Sequence, residues 1–348
     1  MNAAERRLRV GVAGVGSLGF HHARILSDLP GVALSGVYDV RPERAHEVAV
    51  RVGATVLPTL DRLLDSADAV VVAVPTSSHE EVAAAALSRG RSVLVEKPIA
   101  PTLQSADRIL AAANAAGSLI QIGHVERFNP AVIAAAPFLD TPLFVESHRL
   151  APFSPRSTDV AVALDLMIHD VDLVQSLVGA PVREIAAVGV PVLTARADIA
   201  NARLVFESGA VANLTASRIS VERMRKLRVF HRSGYLSLDL AEGRGEFLRL
   251  RRGSPALADE CAEAWPDGAP DLARIVERIP IRGDGVEPLR RELENFRDAA
   301  LGRASPAVSG QEGRAALQLI LAIEERIQER APAAGGAPRH GSRRPPGA

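Results

Sequence analysis

The stretch from Leu8 to Leu29, LRVGVAGVGSLGFHHARILSDL, constrains the chain more than any other. An apolar, β-branched run leads into a glycine cluster and then into residues with helical periodicity. Gly14, Gly16 and Gly19 fit the G-x-G-x-x-G pattern that turns a strand into a helix around a dinucleotide. Gly14 permits the tight turn, Gly16 lets backbone approach a pyrophosphate, and Gly19 lets helix and strand pack closely. The helix then offers its N-terminal N–H groups to phosphate. Leu18, Ile25, Leu26 and Leu29 predict its apolar stripe, and Pro30-Gly31 ends it. A second strand, Val32 to Tyr38, leads to Asp39, about twenty residues past the last glycine, where an acid accepts from a ribose hydroxyl. Asp39 disfavours a 2′-phosphate, so the expected cofactor is NAD; Arg41 and Arg44 leave NADP open.

At 348 residues the chain is long for one core, and two domains are expected. Their cores must be Ala, Val and Leu, because aromatic residues make up only 3%. A formal net charge of zero gives no electrostatic case for a nucleic-acid or membrane-surface partner. The single cysteine, Cys261, excludes an internal disulfide framework and fits a cytoplasmic protein. No apolar run reaches membrane-spanning length, and the glycine-broken start does not read as a signal peptide.

Strands and helices then alternate. Pro42 to Val52 reads as a helix and ATVLP as a short strand. Thr59 caps a small helix with Leu60, Leu63 and Leu64. Ala69 to Val74 reads as a strand buried on both faces, Ser78 to Arg89 as a helix, and Ser92 to Val95 as a strand. Leu103 to Ala116 is a helix and Leu119 to Ile122 a strand. Such alternation predicts a doubly wound parallel sheet, with ligands bound beyond the carboxyl ends of its strands. Asp39, Pro75, Glu96, Lys97 and His124 fall there.

The pattern changes after Gly123. HVERFNPAV opens a short helix, Leu143 to Arg149 is a strand, APFSPRSTD is a loop, and Val160 to Val178 is a long helix. ARLVFESGAVANLTASRIS and KLRVFHRSGYLSLDL read as hairpins of an antiparallel sheet. No element is read between Glu242 and Asp284. Helices are expected over Glu287 to Leu301 and Gly310 to Arg330, followed by a disordered tail. The expected division is 1–124, 125–331 and a tail over 332–348: an N-terminal α/β Rossmann domain, then an α/β domain with an open, mostly antiparallel sheet.

Two places carry chemistry. The helix VAVALDLMIHDVDLV puts Asp165, His169 and Asp172 at i, i+4 and i+7, an imidazole between two carboxylates on one face. Such a histidine accepts a proton near neutral pH, unless these are satisfied core groups. Lys97, at the mouth of a buried strand between Glu96 and Pro98, either reaches a substrate hydroxyl or merely pairs with Glu96. No spacing suggests a metal site.

The glycine loop with Asp39, the VEKP of Val95 to Pro98, and the Asp165-x-x-x-His169-x-x-Asp172 helix together resemble the Gfo/Idh/MocA oxidoreductases, over Leu8 to about Arg330. The resemblance implies that Lys97 and His169 flank a reacting carbinol, with Asp165 nearby. It also implies a cis peptide before Pro98 and an open sheet that joins subunits into a homodimer or homotetramer. GHVERFNP, LDLMIHDVDLV and SRISVERMRKLRVF resemble a branch that oxidises C3 of UDP-N-acetylglucosamine. That branch supplies a 3-keto sugar for transamination, towards the 2,3-diamino sugar of some lipid A. The basic residues Arg218, Arg223, Arg225, Lys226, Arg228 and Arg232 either meet a nucleotide-sugar diphosphate or form a solvated sheet face.

The expected cofactor contacts are Gly14, Gly16, Ser17, Leu18, Gly19, Asp39, Arg41, Pro75, His79, Glu96 and Lys97. Substrate contacts are expected from Lys97, His124, Arg127, Asn129, Asp165, His169 and Arg218, with Arg127 equally readable as an interdomain salt bridge. Lys97, His169 and Asp165 form the catalytic group. Which of Lys97 and His169 is the base stays open, as do a free sugar or inositol as substrate and a non-catalytic NAD-binding sensor.

Overall fold

The computed structural model describes residues 7–154, 160–251 and 275–330. Strand β1 (Leu8–Ala13) enters the glycine turn and continues into helix α1 (Ser17–Asp28). The buried stripe of α1 is Gly19, His22, Ala23, Ile25 and Leu26. Leu18, expected there, is 43% exposed instead. A histidine on the buried stripe is the first local surprise.

After β2 (Val32–Tyr38) the chain passes through α2 (Pro42–Val52) and α3 (Leu60–Ser66) to β3 (Ala69–Val72), all four residues of which are buried. Thr59 caps α3 as expected, accepting from the Arg62 N–H. The ATVLP strand reduces to one bridge, Val37 to Val56, because Pro58 cuts the run short. The run from Ala69 leaves the sheet after Val72, two residues before the expected end; Val74 then offers its carbonyl to His79. Helix α4 (His79–Leu87), β4 (Ser92–Glu96), α5 (Leu103–Ala116) and β5 (Ile120–Gly123) complete the unit.

The five strands lie in the order β2-β1-β3-β4-β5, all parallel. The order reverses between β1 and β3, and such a switch point opens a crevice at the carboxyl ends of its strands.

A tight turn over Val125–Phe128 and helix α6 (Pro130–Ala135) lead to β6 (Phe144–Leu150). The long helix begins with a π-helical turn, Ala163–Met167, and continues as α7 (Ile168–Val178). Then come β7 (Val182–Val190), β8 (Ile199–Phe206), β9 (Val211–Ser217), β10 (Met224–His231) and β11 (Gly234–Asp239). Two further strands, β12 (Arg244–Leu250) and β13 (Val276–Arg282), occupy the stretch in which no element is expected. Their charged alternation and Pro280 hide them; proline is tolerated because β13 is an edge strand.

The eight strands lie in the order β13-β12-β11-β10-β6-β9-β8-β7, with only β6 and β9 parallel. One face packs under helices while the other carries polar pairs such as Asn201–Thr215 and Arg203–Asn213.

Helices α8 (Pro288–Ala300) and α9 (Gly310–Arg330) return to the first sheet. Leu289, Leu293 and Phe296 of α8 share a core with β1 and α1, and a side chain at Gly313 of α9 would collide with Ile122 of β5. Among the described residues no helix is long and apolar enough to cross a membrane. The expected tail and most of the APFSPRSTD loop lie outside the described residues.

Candidate active site

Gly14 takes φ +83°, and a Cβ there would lie 2.7 Å from the Ala73 carbonyl oxygen. A Cβ on Gly19 would overlap the Gly14 carbonyl oxygen, whereas one on Gly16 would meet nothing within 4 Å. The turn is therefore closed by packing at Gly14 and Gly19 and open at Gly16, on the side where a phosphate would approach. No side chain caps the α1 N-terminus.

The Asp39 carboxylate accepts from the Val15 N–H at 2.9 Å and the Arg41 N–H at 3.0 Å. Arg44 donates to the carbonyls of Val15 and Gly16 and so braces the glycine loop. It is not left to meet a 2′-phosphate; Arg41, 65% exposed, is the cation beside Asp39, with Nε 3.3 Å from its carboxylate.

These groups line a cleft of about 660 Å³ that runs from Asp39 and Arg41, past Gly14, Gly16, Ser17 and Leu18, to Pro75, His79, Glu96 and Lys97. Of the expected cofactor residues only Gly19 does not line it, because its part is to seat the helix on the turn. His79 lies with Nδ1 2.9 Å from the Pro98 carbonyl and Nε2 3.0 Å from the Val74 carbonyl, tying two strand ends together. The Lys97–Pro98 peptide is cis, as the family resemblance implied. Clefts at such strand ends take dinucleotides, and Asp39, Gly16, Glu96 and Lys97 line this one.

At that last end the second domain enters. Lys97 Nζ donates to the Asp165 carbonyl at 2.7 Å and lies 3.8 Å from Asp165 Oδ1. The π-helical turn offers this carbonyl, and such turns recur at functional sites. Burial pulls the Lys97 ammonium below its usual range; Asp165 and Glu96 only partly offset that. His169 is held well below the ordinary imidazole value, first by burial and then by the charges of Lys97 and Arg149. It is therefore a neutral imidazole, with Nδ1 buried and unpartnered.

The expected imidazole between two carboxylates is not formed. Asp165 faces Lys97, and Asp172 takes a bidentate pair from Arg127 at 2.7 and 2.9 Å. The π-helical turn sets Asp165 off the regular period relative to His169, while Asp172, in the regular helix with His169, is taken by Arg127 from another element. His124, buried with both ring nitrogens unpartnered, has Asp172 Oδ2 at 3.9 Å; burial lowers its basicity.

Three expected substrate residues are committed to scaffold. Arg127 joins Asp172 to Glu312, an ion-pair bridge within residues 125–331 and not the interdomain bridge allowed for above. Asn129 caps α6 and donates to Glu126 and to the Leu240 carbonyl. Arg218, 5% exposed, donates to the Val160 carbonyl at the start of the long helix.

Sequence patterns gave no sign of the buried group in which Arg149 binds Asp170 twice and Glu126 once, at 2.7 to 3.0 Å. Arg225 stands beside it, exposed, with Glu126 Oε1 at 3.7 Å. Arg225 and Arg149 both raise the potential around His169.

A dinucleotide cleft that ends at a lysine beside a neutral histidine defines a nicotinamide-dependent dehydrogenase. The family model for the NAD-binding Rossmann fold of Gfo/Idh/MocA oxidoreductases matches residues 8–124, and that for the family's C-terminal domain matches residues 143–237. UDP-N-acetylglucosamine 3-dehydrogenase of Acidithiobacillus ferrooxidans is 36% identical over 331 residues, covering 92% of this chain and 99% of the relative. A solved structure of that enzyme covers 93% of this chain and 98% of its own, with 34% identity and TM-score 0.83. Myo-inositol 2-dehydrogenase of Thermotoga maritima is 26% identical over 93% of this chain and 97% of its own. The chain belongs to the Gfo/Idh/MocA family of oxidoreductases, and its cofactor is NAD(P).

Proposed function

We propose that the chain oxidises C3 of UDP-N-acetylglucosamine, with NAD as hydride acceptor. The observation that carries this reading is the 36% identity to one UDP-N-acetylglucosamine 3-dehydrogenase over 92% of the chain; inositol dehydrogenases match either over about half of the chain or, over 93% of it, at only 26% identity. Asp39, facing the ribose end, favours NAD over NADP.

Bound nicotinamide supplies the hydride acceptor. Lys97 holds the substrate oxygen with its ammonium, anchored by the Asp165 carbonyl. His169, uncharged before the reaction, takes the hydroxyl proton as the carbon–hydrogen bond breaks. Positive charge gathered around His169 stabilises the oxyanion that develops there. Arg225, exposed on β10 and lightly paired, is placed to receive the diphosphate. Asp165 acts as the positioning group of Lys97. The keto sugar then passes to an aminotransferase, towards the diamino sugar of some lipid A. The same reading carries a homodimer or homotetramer through the open sheet face and a cytoplasmic location.

The test is NADH formation by the purified protein with UDP-N-acetylglucosamine, N-acetylglucosamine, glucose and myo-inositol in turn. An amino donor and aminotransferase remove the keto product and pull the equilibrium. Turnover confined to the nucleotide sugar is expected. Turnover with a free sugar or inositol instead overturns the substrate, and NAD binding without any turnover overturns the enzyme reading.

A further inference from the structure

Behind the nicotinamide end of the cleft lies a polar cluster that the hydride-transfer scheme does not use. His22 of α1, Glu96 at the end of β4 and Glu292 of α8 are 0%, 7% and 0% exposed. One donor atom of each lies within 4.8 Å of the others. His22 Nε2 is 2.6 Å from Glu96 Oε1, and Glu96 Oε2 accepts from the Lys97 N–H at 3.3 Å. Neither oxygen of Glu292 has a partner, nor does His22 Nδ1. Gln121, also fully buried, donates to the Glu292 backbone carbonyl at 3.4 Å, leaving its own amide oxygen unpartnered.

Two carboxylates this close in a dry interior cannot both stay ionised without a compensating positive charge. Protons or a metal ion supply that charge. The His22–Glu96 contact favours protons: two donors bound to one ion at about 2.1 Å stand about 3 Å or more apart, whereas 2.6 Å is a hydrogen bond. With two protons shared among the three groups the cluster is neutral; with one it carries a single negative charge.

We propose that His22, Glu96 and Glu292 form a buried proton-holding site whose occupancy follows the charge of the nicotinamide ring. This rests on the NAD(P) cleft and not on the identity of the sugar. The oxidised ring is cationic and the reduced ring neutral. Placed against Glu96, the cation favours the cluster with one proton fewer. Binding of NAD+ to the neutral cluster releases one proton to solvent, and reduction to NADH draws one back. The alcohol's own proton leaves separately, through His169, so the overall reaction still yields ketone, NADH and one proton. Burial, with Glu96 and Asp172 nearby, pushes the Glu292 carboxyl well above its usual range, as a proton holder requires.

Other titratable or charged groups face the cluster: Lys97 at the end of β4, His79 of α4, His124 after β5, and Asp172 of α7 with its partner Arg127. The experiment must separate them from Glu292. The dissociation constants of NAD+ and NADH are measured from about pH 6 to about pH 9, and proton release is read by calorimetry in buffers of different ionisation enthalpy. For one proton, NAD+ affinity gains on NADH affinity by up to about tenfold per pH unit, with net release on NAD+ binding only. In Glu292→Gln, which keeps the shape and removes the titration, the difference disappears while both nucleotides still bind. Equal proton release by the two nucleotides in the unaltered protein overturns the proposal without recourse to a variant. A pH difference that survives in Glu292→Gln also overturns it, because the proton then belongs to Lys97, His79, His124 or His169. Stoichiometric metal in the purified protein overturns it as well, since the cluster then holds a cation.

Discussion

On the cofactor side of the site the chain works with backbone: a glycine turn, a helix N-terminus and the ends of β1, β3 and β4, closed by short-range contacts. On the substrate side it works with charged side chains that cross from one element to another, Lys97 to Asp165, Arg127 to Asp172, and Arg149 to Asp170 and Glu126. The first kind of site has its geometry fixed by where glycine is allowed. The second has its geometry fixed by contacts between elements distant in the chain, Lys97 to Asp165 across the two domains and the others within the second, and its energy lies in buried charges that depend on one another. The two regions should therefore fail differently.

The largest effect is expected at the glycine turn. Gly19→Ala puts a methyl group onto the Gly14 carbonyl oxygen, and helix α1 must move off the strand. Cofactor binding should be lost altogether in an NAD titration; retained affinity would mean that the turn is not the binding element. Arg149→Leu should unfold the substrate side first. It leaves the buried carboxylates of Asp170 and Glu126 without their cation, at a cost of about 3–5 kcal/mol in chemical denaturation. Asp39→Ser is milder. It removes the charge that repels a 2′-phosphate while Arg41 remains beside it, so the preference for NAD over NADP should fall by about tenfold in kcat/KM.

The smallest effect is one of pH. The base must be neutral, and His169 is held below the ordinary imidazole value of about 6.5. At saturating NAD, oxidation should stay flat through neutrality and decline only below that value. Lys97 must be charged, and burial brings its loss of charge below about 10.5, so the alkaline limb comes earlier than for a free lysine. An acid limb above the ordinary imidazole value would remove His169 as the neutral base.

The same contrast explains what could be read from the residues. Gly14, Gly16, Gly19 and Asp39 announce the cleft because turn sterics and a fixed offset to the acid are local rules, and every expected cofactor residue but Gly19 lines it. The Asp165, His169 and Asp172 spacing did not give their partners: Asp165 meets Lys97 and Asp172 meets Arg127, both from other elements. Arg127, Asn129 and Arg218 were legible as polar and near the site, but their partners lie 45, 111 and 58 positions away in the chain. Glu292 carried a signal that could have been used: it stands among Leu289, Leu293 and Phe296, an acid on the buried stripe of an amphipathic helix. His22 carried the same signal on α1. Strands β12 and β13 gave none, because strands this exposed at the end of a sheet need little apolar alternation.

The cofactor cleft and the chemical group are separable and meet at Lys97. The most direct measurement is the NAD dissociation constant and turnover of His169→Asn on one preparation. The account predicts turnover down by about a hundredfold or more with NAD affinity unchanged. A collapse of NAD affinity, or full turnover, would contradict it.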